Sequence, residues 1–358
     1  MDQQNINEIQ SQIYNTYKDQ TIIIPFVPAA IVFLIEGTLG IIGNLNIVYA
    51  TIVNRSLHGS CNILLAIASI ADSLNLLSTF IFAGFVFSGR NFVPLPTCFY
   101  FYAVPIFGTM VGVETVFIIG LDRLFSVLLP TVYRHINKWV YIGTTMSAAI
   151  LYAGLGLYEI YKVAEPHPYR MVVPFIAEAE HDFLMTFFVN IVIFNVATIS
   201  FYVTIWLVLK VRNNLRDNSR RIIKSLVIIS MVIFFGWTVC SCVQILINMI
   251  FGIPEIASFF VELYFGVTVH GSLSINFLIL YKFSGEYRRV FQIQLNKLSR
   301  RMVQRTFLGE TSVSAARITV SVPAKQVTSH NTATMSSSRS SRWKTSVEVP
   351  IYFISRIK

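Results

Sequence analysis

Charged residues are scarce. Asp, Glu, Lys and Arg make up 13% of the chain, about half the ~25% of an average soluble domain. At that density a chain of 358 residues does not cover a water-facing surface, which argues against a soluble enzyme. Cysteine is also scarce. The four cysteines, Cys61, Cys98, Cys240 and Cys242, are too few for a disulfide scaffold and form no CxxC pair that would suggest a metal. No Ser/His/Asp, Cys/His or HExxH arrangement occurs. The chain therefore reads as a non-enzyme with no cofactor and no metal. No internal repeat is visible, which disfavours a transporter built from repeats.

Apolar length is abundant. Hydrophobic residues make up 54% of the chain, and 29 of them are Phe. A transmembrane helix needs ~20 mostly apolar residues to cross a ~30 Å hydrocarbon core. Seven stretches meet that length, at about 27–53, 62–87, 99–129, 139–161, 183–210, 222–251 and 257–281. They are too long and continuous for the alternating segments of a membrane β-barrel. A helix satisfies its own backbone hydrogen bonds, so each run is expected to be helical. The first run follows a polar start without a basic n-region or cleavage site, and reads as a retained helix. The fold class is then an all-α membrane protein in the lipid bilayer: a seven-transmembrane helix bundle.

The basic residues orient it. With the N-terminus outside, Arg55, Arg123, Arg134, Lys138, six residues between Lys210 and Lys224, and fourteen after Tyr281 all fall inside. That places 24 of the 28 Lys and Arg on the inner side, against Lys18, Arg90, Lys162 and Arg170 outside. This is the positive-inside pattern. The net charge of +10 is thus a topology signal, and no nucleic-acid partner is expected, because no basic patch is interleaved with aromatics. Beyond the seventh run, Tyr287, Val290 and Phe291 recur at helical spacing among charges, as in an amphipathic helix on the inner membrane face. From Thr306 the chain is polar and aperiodic, as in disordered segments. Between Thr328 and Ser346 it carries eleven Ser and Thr, a pattern that suits phosphorylation or a plain tether. The expected organisation is an extracellular segment 1–26, a bundle 27–281, an amphipathic helix 282–296 and a cytoplasmic tail 297–358.

Polar residues inside a bilayer are costly and usually functional. Here they fall in an ordered series. The first run holds Gly43-Asn44-Leu45-Asn46-Ile47-Val48, and the second Leu65-Ala66-Ile67-Ala68-Ser69-Ile70-Ala71-Asp72. The third begins at Cys98 and ends Asp122-Arg123-Leu124, with Pro130 and Tyr133 beyond. The sixth holds Gly236-Trp237, and the seventh Asn276, followed by Glu286-Tyr287-Arg288. This series resembles that of the rhodopsin-like G-protein-coupled receptors over about residues 30–292. It is most like the nematode serpentine chemoreceptors of the SX class. Cys98 and Arg123 lie 25 residues apart, ~37 Å of helix at ~1.5 Å per residue, which spans the membrane.

The resemblance implies a plasma-membrane receptor that binds an extracellular small-molecule or peptide ligand and activates a heterotrimeric G protein. Receptor kinases and arrestin would meet its tail. It implies coupling through Asp122, Arg123, Pro130, Tyr133, Arg220 and Arg221, and a polar hub at Asn44, Asp72 and Asn276. Sodium sometimes binds such a hub, but Gly112 faces it here and supplies no ligand. It also implies a cavity lined by Thr109, Met110, Thr186, Trp237, Cys240, Ser241, Gln244, Glu262, Gly266 and His270. His270 reads equally as a packed histidine, and Glu114 as a structural residue. Pro105 occupies the place of the amine receptors' Asp. The family's disulfide from Cys98 to the second outer loop has no partner, since residues 162–182 hold no cysteine, and a looser loop is expected. Leu124, Val239, Phe277 and Leu280 depart from the family pattern. A seven-helix channel or transporter is the competing class. A transporter would place paired charges near the midplane, where only Asp72 clearly lies.

Overall fold

The computed structural model describes residues 13–176, 184–211, 228–232, 235–236, 255–294 and 296. Within them, α1 is Phe26–Val53, α2 Ser60–Ser88, α3 Leu95–Leu128, α4 Pro130–His135, α5 Lys138–Ala164, α6 Leu184–Val211, α7 Glu255–Ser274 and α8 Asn276–Phe283. A further helical stretch covers residues 285–294. Five helices, α1, α2, α3, α5 and the 190–208 part of α6, are long and apolar enough to cross a membrane. Residues 259–274 and α8, bent by about 40°, add a sixth when the pair is counted as one span. The expected seventh run is therefore helical on both sides of a break at Ile275, and not a continuous helix. Most of the sixth run lies outside the described residues.

The packing runs opposite to that of a soluble protein. Along α1 the exposed large apolar residues Ile31, Ile35, Leu39, Ile42, Leu45, Tyr49 and Ile52 form a stripe. The buried face of the same helix carries Gly37, Gly40, Gly43, Asn44 and Thr51. Water would reverse these faces, whereas lipid tails accept the stripe, and small or polar residues then hold the helices together. Gly108 shows how close the contacts are. A Cβ there would lie 2.7 Å from the Ala71 carbonyl oxygen and 2.8 Å from the Asn75 nitrogen, so α2 and α3 meet backbone to backbone.

Local signals set the ends. Gly89 closes α2 at φ +73°, a left-handed conformation that favours glycine. The Asn137 side chain caps α5 by accepting from the Trp139 N–H at 3.0 Å. Leu129 precedes Pro130, which disfavours helical geometry, and α3 stops there.

The segment between α5 and α6 folds back onto the start of α3. Val93–Pro94 pairs antiparallel with Met171–Val172, and the Leu95 N–H donates to the Arg170 carbonyl at 2.8 Å. The Tyr102 hydroxyl donates to the Pro174 carbonyl at 2.7 Å. Cys98 is buried and directs its thiol at the carbonyls of Phe175 and Val173, 3.8 and 4.0 Å away. These backbone tethers fasten residues 170–175 to the start of α3 at several points.

Candidate functional site

Two polar constellations and one aromatic cluster sit inside the bundle. The first is at the Arg123 end of α3. Asp122 is fully buried, while the Arg123 side chain keeps 18% exposure. Consecutive helical residues point about 100° apart, so Arg123 folds back to reach its neighbour. Its Nε–H donates to Asp122 Oδ2 at 2.9 Å, and its Nη2 joins the same oxygen in an ion pair. The Pro130 turn launches α4, which carries Tyr133 back over the pair. The Tyr133 hydroxyl donates to Asp122 Oδ1 at 2.8 Å and accepts from Arg123 Nη2 at 3.3 Å. Burial pushes the Tyr133 hydroxyl above the usual phenol range, so it stays protonated and able to donate. The three side chains thus close a ring around the guanidinium. An arginine fork suits multiple carbonyl or carboxylate acceptors, and here its neighbours occupy part of that fork. Arg220 and Arg221 lie outside the described residues.

Nearby, Thr51 on α1 and Tyr287 in the 285–294 stretch share a hydroxyl–hydroxyl bond of 3.2 Å. Burial holds the Tyr287 hydroxyl above its ordinary range. Phe291 packs on Phe277 of α8, ring centroids 4.5 Å apart. Tyr287, Val290 and Phe291 are all buried.

The second constellation centres on Asp72. Asn276, the first residue after the break in the seventh span, donates to Asp72 Oδ2 at 2.9 Å. A Cβ on Gly112 would stand 3.3 Å from Asp72 Oδ1, so α3 brings no ligand atom there. The adjoining cavity, lined by Asp72, Ser69, Ser230 and Asn276 among others, has a volume of about 10 Å³, room for roughly one water. Asn44, expected as a polar partner of Asp72, directs its amide elsewhere. It donates instead to the Leu273 carbonyl at 3.4 Å, in the last turn before the break. The expected three-residue hub is therefore a direct Asp72–Asn276 pair, with Asn44 bound to the α7 backbone.

The third cluster lies toward the Cys98 end. His270 is buried, with Nδ1 3.0 Å from the Gly266 carbonyl and Nε2 3.3 Å from the Ser78 hydroxyl. Its ring lies 4.9 Å from that of Phe33. Gly266 stands opposite Phe175, where a Cβ would meet the Phe175 ring at 3.7 Å. The Thr109 hydroxyl donates to the Pro105 carbonyl at 3.0 Å. Met110, an expected cavity residue, faces another helix. It packs against Gly156 of α5, within the α3–α5 cluster and apart from the one containing Phe33 and Phe175. The reason is helical phase, since one residue along α3 turns the side chain by ~100°. Trp237, Cys240, Ser241 and Gln244, and the side chains of Thr186 and Glu262, lie outside the described residues.

The sequence did not single out Thr51, Ser78 or Tyr102. Thr51 and Ser78 were visible as hydroxyls in apolar runs. Tyr102 gave no signal among so many aromatics, whereas Phe175 was legible as part of the apolar stretch 171–176, which suits a cover over the cavity.

Comparison with protein families gives one match. Residues 37–295 fit the model described as serpentine type 7TM GPCR chemoreceptor Srsx. No curated protein matches the chain.

Proposed function

The chain belongs to the Srsx family of serpentine seven-transmembrane chemoreceptors, and we propose that it couples an extracellular ligand to a heterotrimeric G protein through the Arg123 end of α3. The observation that carries this reading is the closed Asp122–Arg123–Tyr133 ring at one end of the longest helix. Hydrogen bonds to charged groups contribute ~1.5–3 kcal/mol each, so the ring holds the guanidinium in a definite rest state. A partner that offers carbonyl acceptors can replace Tyr133 and take over the fork. The positive-inside count supports a plasma-membrane receptor with its N-terminus outside, which puts Arg123 at the cytoplasm. The Asp72–Asn276 pair at the break in the seventh span supports a role in linking α2 to movement of α8. The 285–294 stretch, with its apolar face turned onto α1 and α8, supports an amphipathic helix along the inner membrane face. Receptor kinases and arrestin are the partners that the Ser/Thr-rich tail suits.

The test is a ligand panel applied to cells that express the receptor with a promiscuous Gα. Ligand-driven second messenger that vanishes without Gα is the expected result. A ligand-driven current that persists without any G protein would overturn the reading in favour of a channel.

A further inference from the structure

We propose that Phe175 is a built-in occupant of a ligand site between α1, α2, α3 and α7, and that the site takes a small neutral aromatic molecule with one hydrogen-bonding group. This deepens the receptor reading above and rests on it. The site is formed by Phe33, Ser78, Phe82, Tyr102, Phe175 and His270. It differs from the cavity around Trp237 that the family resemblance implied.

Phe175 is 5% exposed, although it belongs to an interhelical segment and not to a helix. Its ring stacks on Phe33 at 6.4 Å with an interplanar angle of 7°, and meets Phe82 edge-on at 5.5 Å. With the ring in place the site has no room for a water molecule. Gly266 leaves the space opposite the ring open to it. Apart from the adjoining Ile176, every other wall is carried by α1, α2, α3 or α7, so Phe175 is the part that can leave without moving the bundle. Its backbone is held by the Val93–Val172 pairing and by Tyr102. The segment therefore stays seated while the ring swings out.

The chemistry beneath the ring selects the ligand. The walls at Phe33 and Phe82 are aromatic, and ring pairs favour edge-on and offset contacts. The Ser78–His270 pair is a buried polar group in an apolar site, the arrangement that fixes the orientation of a small ligand. Its bond is long, at 3.3 Å, and with Nδ1–H donating to the Gly266 carbonyl the Nε2 atom accepts. A ligand N–H or O–H can donate to Nε2 in place of the Ser78 hydroxyl, which can turn to a carbonyl of its own helix. Among the described residues no carboxylate lines the site, which leaves a cationic ligand without a counter-charge there.

The experiment uses purified full-length receptor in lipid nanodiscs, with indole as the probe and indene, which lacks the N–H, as the control. Binding is read directly by ligand-observed NMR titration, so the outcome is independent of G-protein coupling. Phe175→Ala should tighten indole binding at least tenfold over wild type. In that background indole should exceed indene at least fivefold, and His270→Phe should abolish the difference. Phe175→Leu, which keeps the segment packed, should give an intermediate gain and serves if the alanine variant does not fold. Unchanged indole affinity in both variants would overturn the proposal. Equal binding of indole and indene would overturn the assigned ligand class. Absent G-protein signalling with intact indole binding would count against the coupling reading alone.

Discussion

Tyr133 decides how firmly Arg123 is held. Its hydroxyl makes two bonds to charged groups, and such bonds contribute ~1.5–3 kcal/mol each. Tyr133→Phe removes both while preserving the ring's packing. Basal second-messenger output should rise at least about tenfold, as the loss of even one ~1.5 kcal/mol bond implies, with surface expression unchanged. Unaltered basal output at equal expression would count against a latching role. Asp72 carries a different burden. Asp72→Ala removes the acceptor of the buried Asn276 amide, and an unsatisfied buried polar group costs about 1–3 kcal/mol. The melting temperature of the detergent-solubilised receptor should fall clearly, and Asp72→Asn should restore part of it. These two residues also mark what the sequence made legible. Asp72 stood out because a carboxylate in an apolar run is expensive. Tyr133 stood out through its offset from Arg123 and Pro130. That Asn44 would bond the Leu273 carbonyl was not legible, because it depends on where the seventh span breaks, and residue types do not reveal that break.

Helix contacts depend on small residues in specific places. Gly108 lies against the α2 backbone, so Gly108→Leu must force α2 and α3 apart. Overpacking of this kind costs about 1–3 kcal/mol and occasionally more. The fraction of receptor reaching the surface should drop steeply. Gly143→Leu on α5 is the matched control, because nothing lies within 4 Å of its added Cβ, and it should express like wild type. Similar loss in both variants would show that bulk, and not the α2–α3 contact, is limiting. The segment between α5 and α6 makes the complementary point. Tyr102→Phe deletes the bond to the Pro174 carbonyl. Amide exchange across 171–176 should then accelerate, while that of α3 stays constant. The helices themselves were legible from apolar length alone, with ends within a few residues for α1, α2, α5 and α6. The seating of residues 170–175 was not, since two-residue strand pairs and backbone carbonyl acceptors leave no mark in residue type.

For the molecule as a whole, the lipid-facing stripe on α1 and the buried polar pairs describe a bundle whose specificity lies inside. The charge split predicts its orientation. An epitope at residue 1 should stain on intact cells, and one at residue 358 only after permeabilisation; the opposite pattern would reverse the assignment of sides. The central claim is that the Arg123 end of α3 passes the signal to a G protein. The most direct test is nucleotide exchange on a purified heterotrimer carrying a promiscuous Gα, with the receptor in nanodiscs. Wild-type receptor should accelerate GTPγS uptake over empty nanodiscs, and Arg123→Ala should return it to the empty-disc rate while keeping its melting temperature within a few degrees. Equal acceleration by the two receptors would contradict the account.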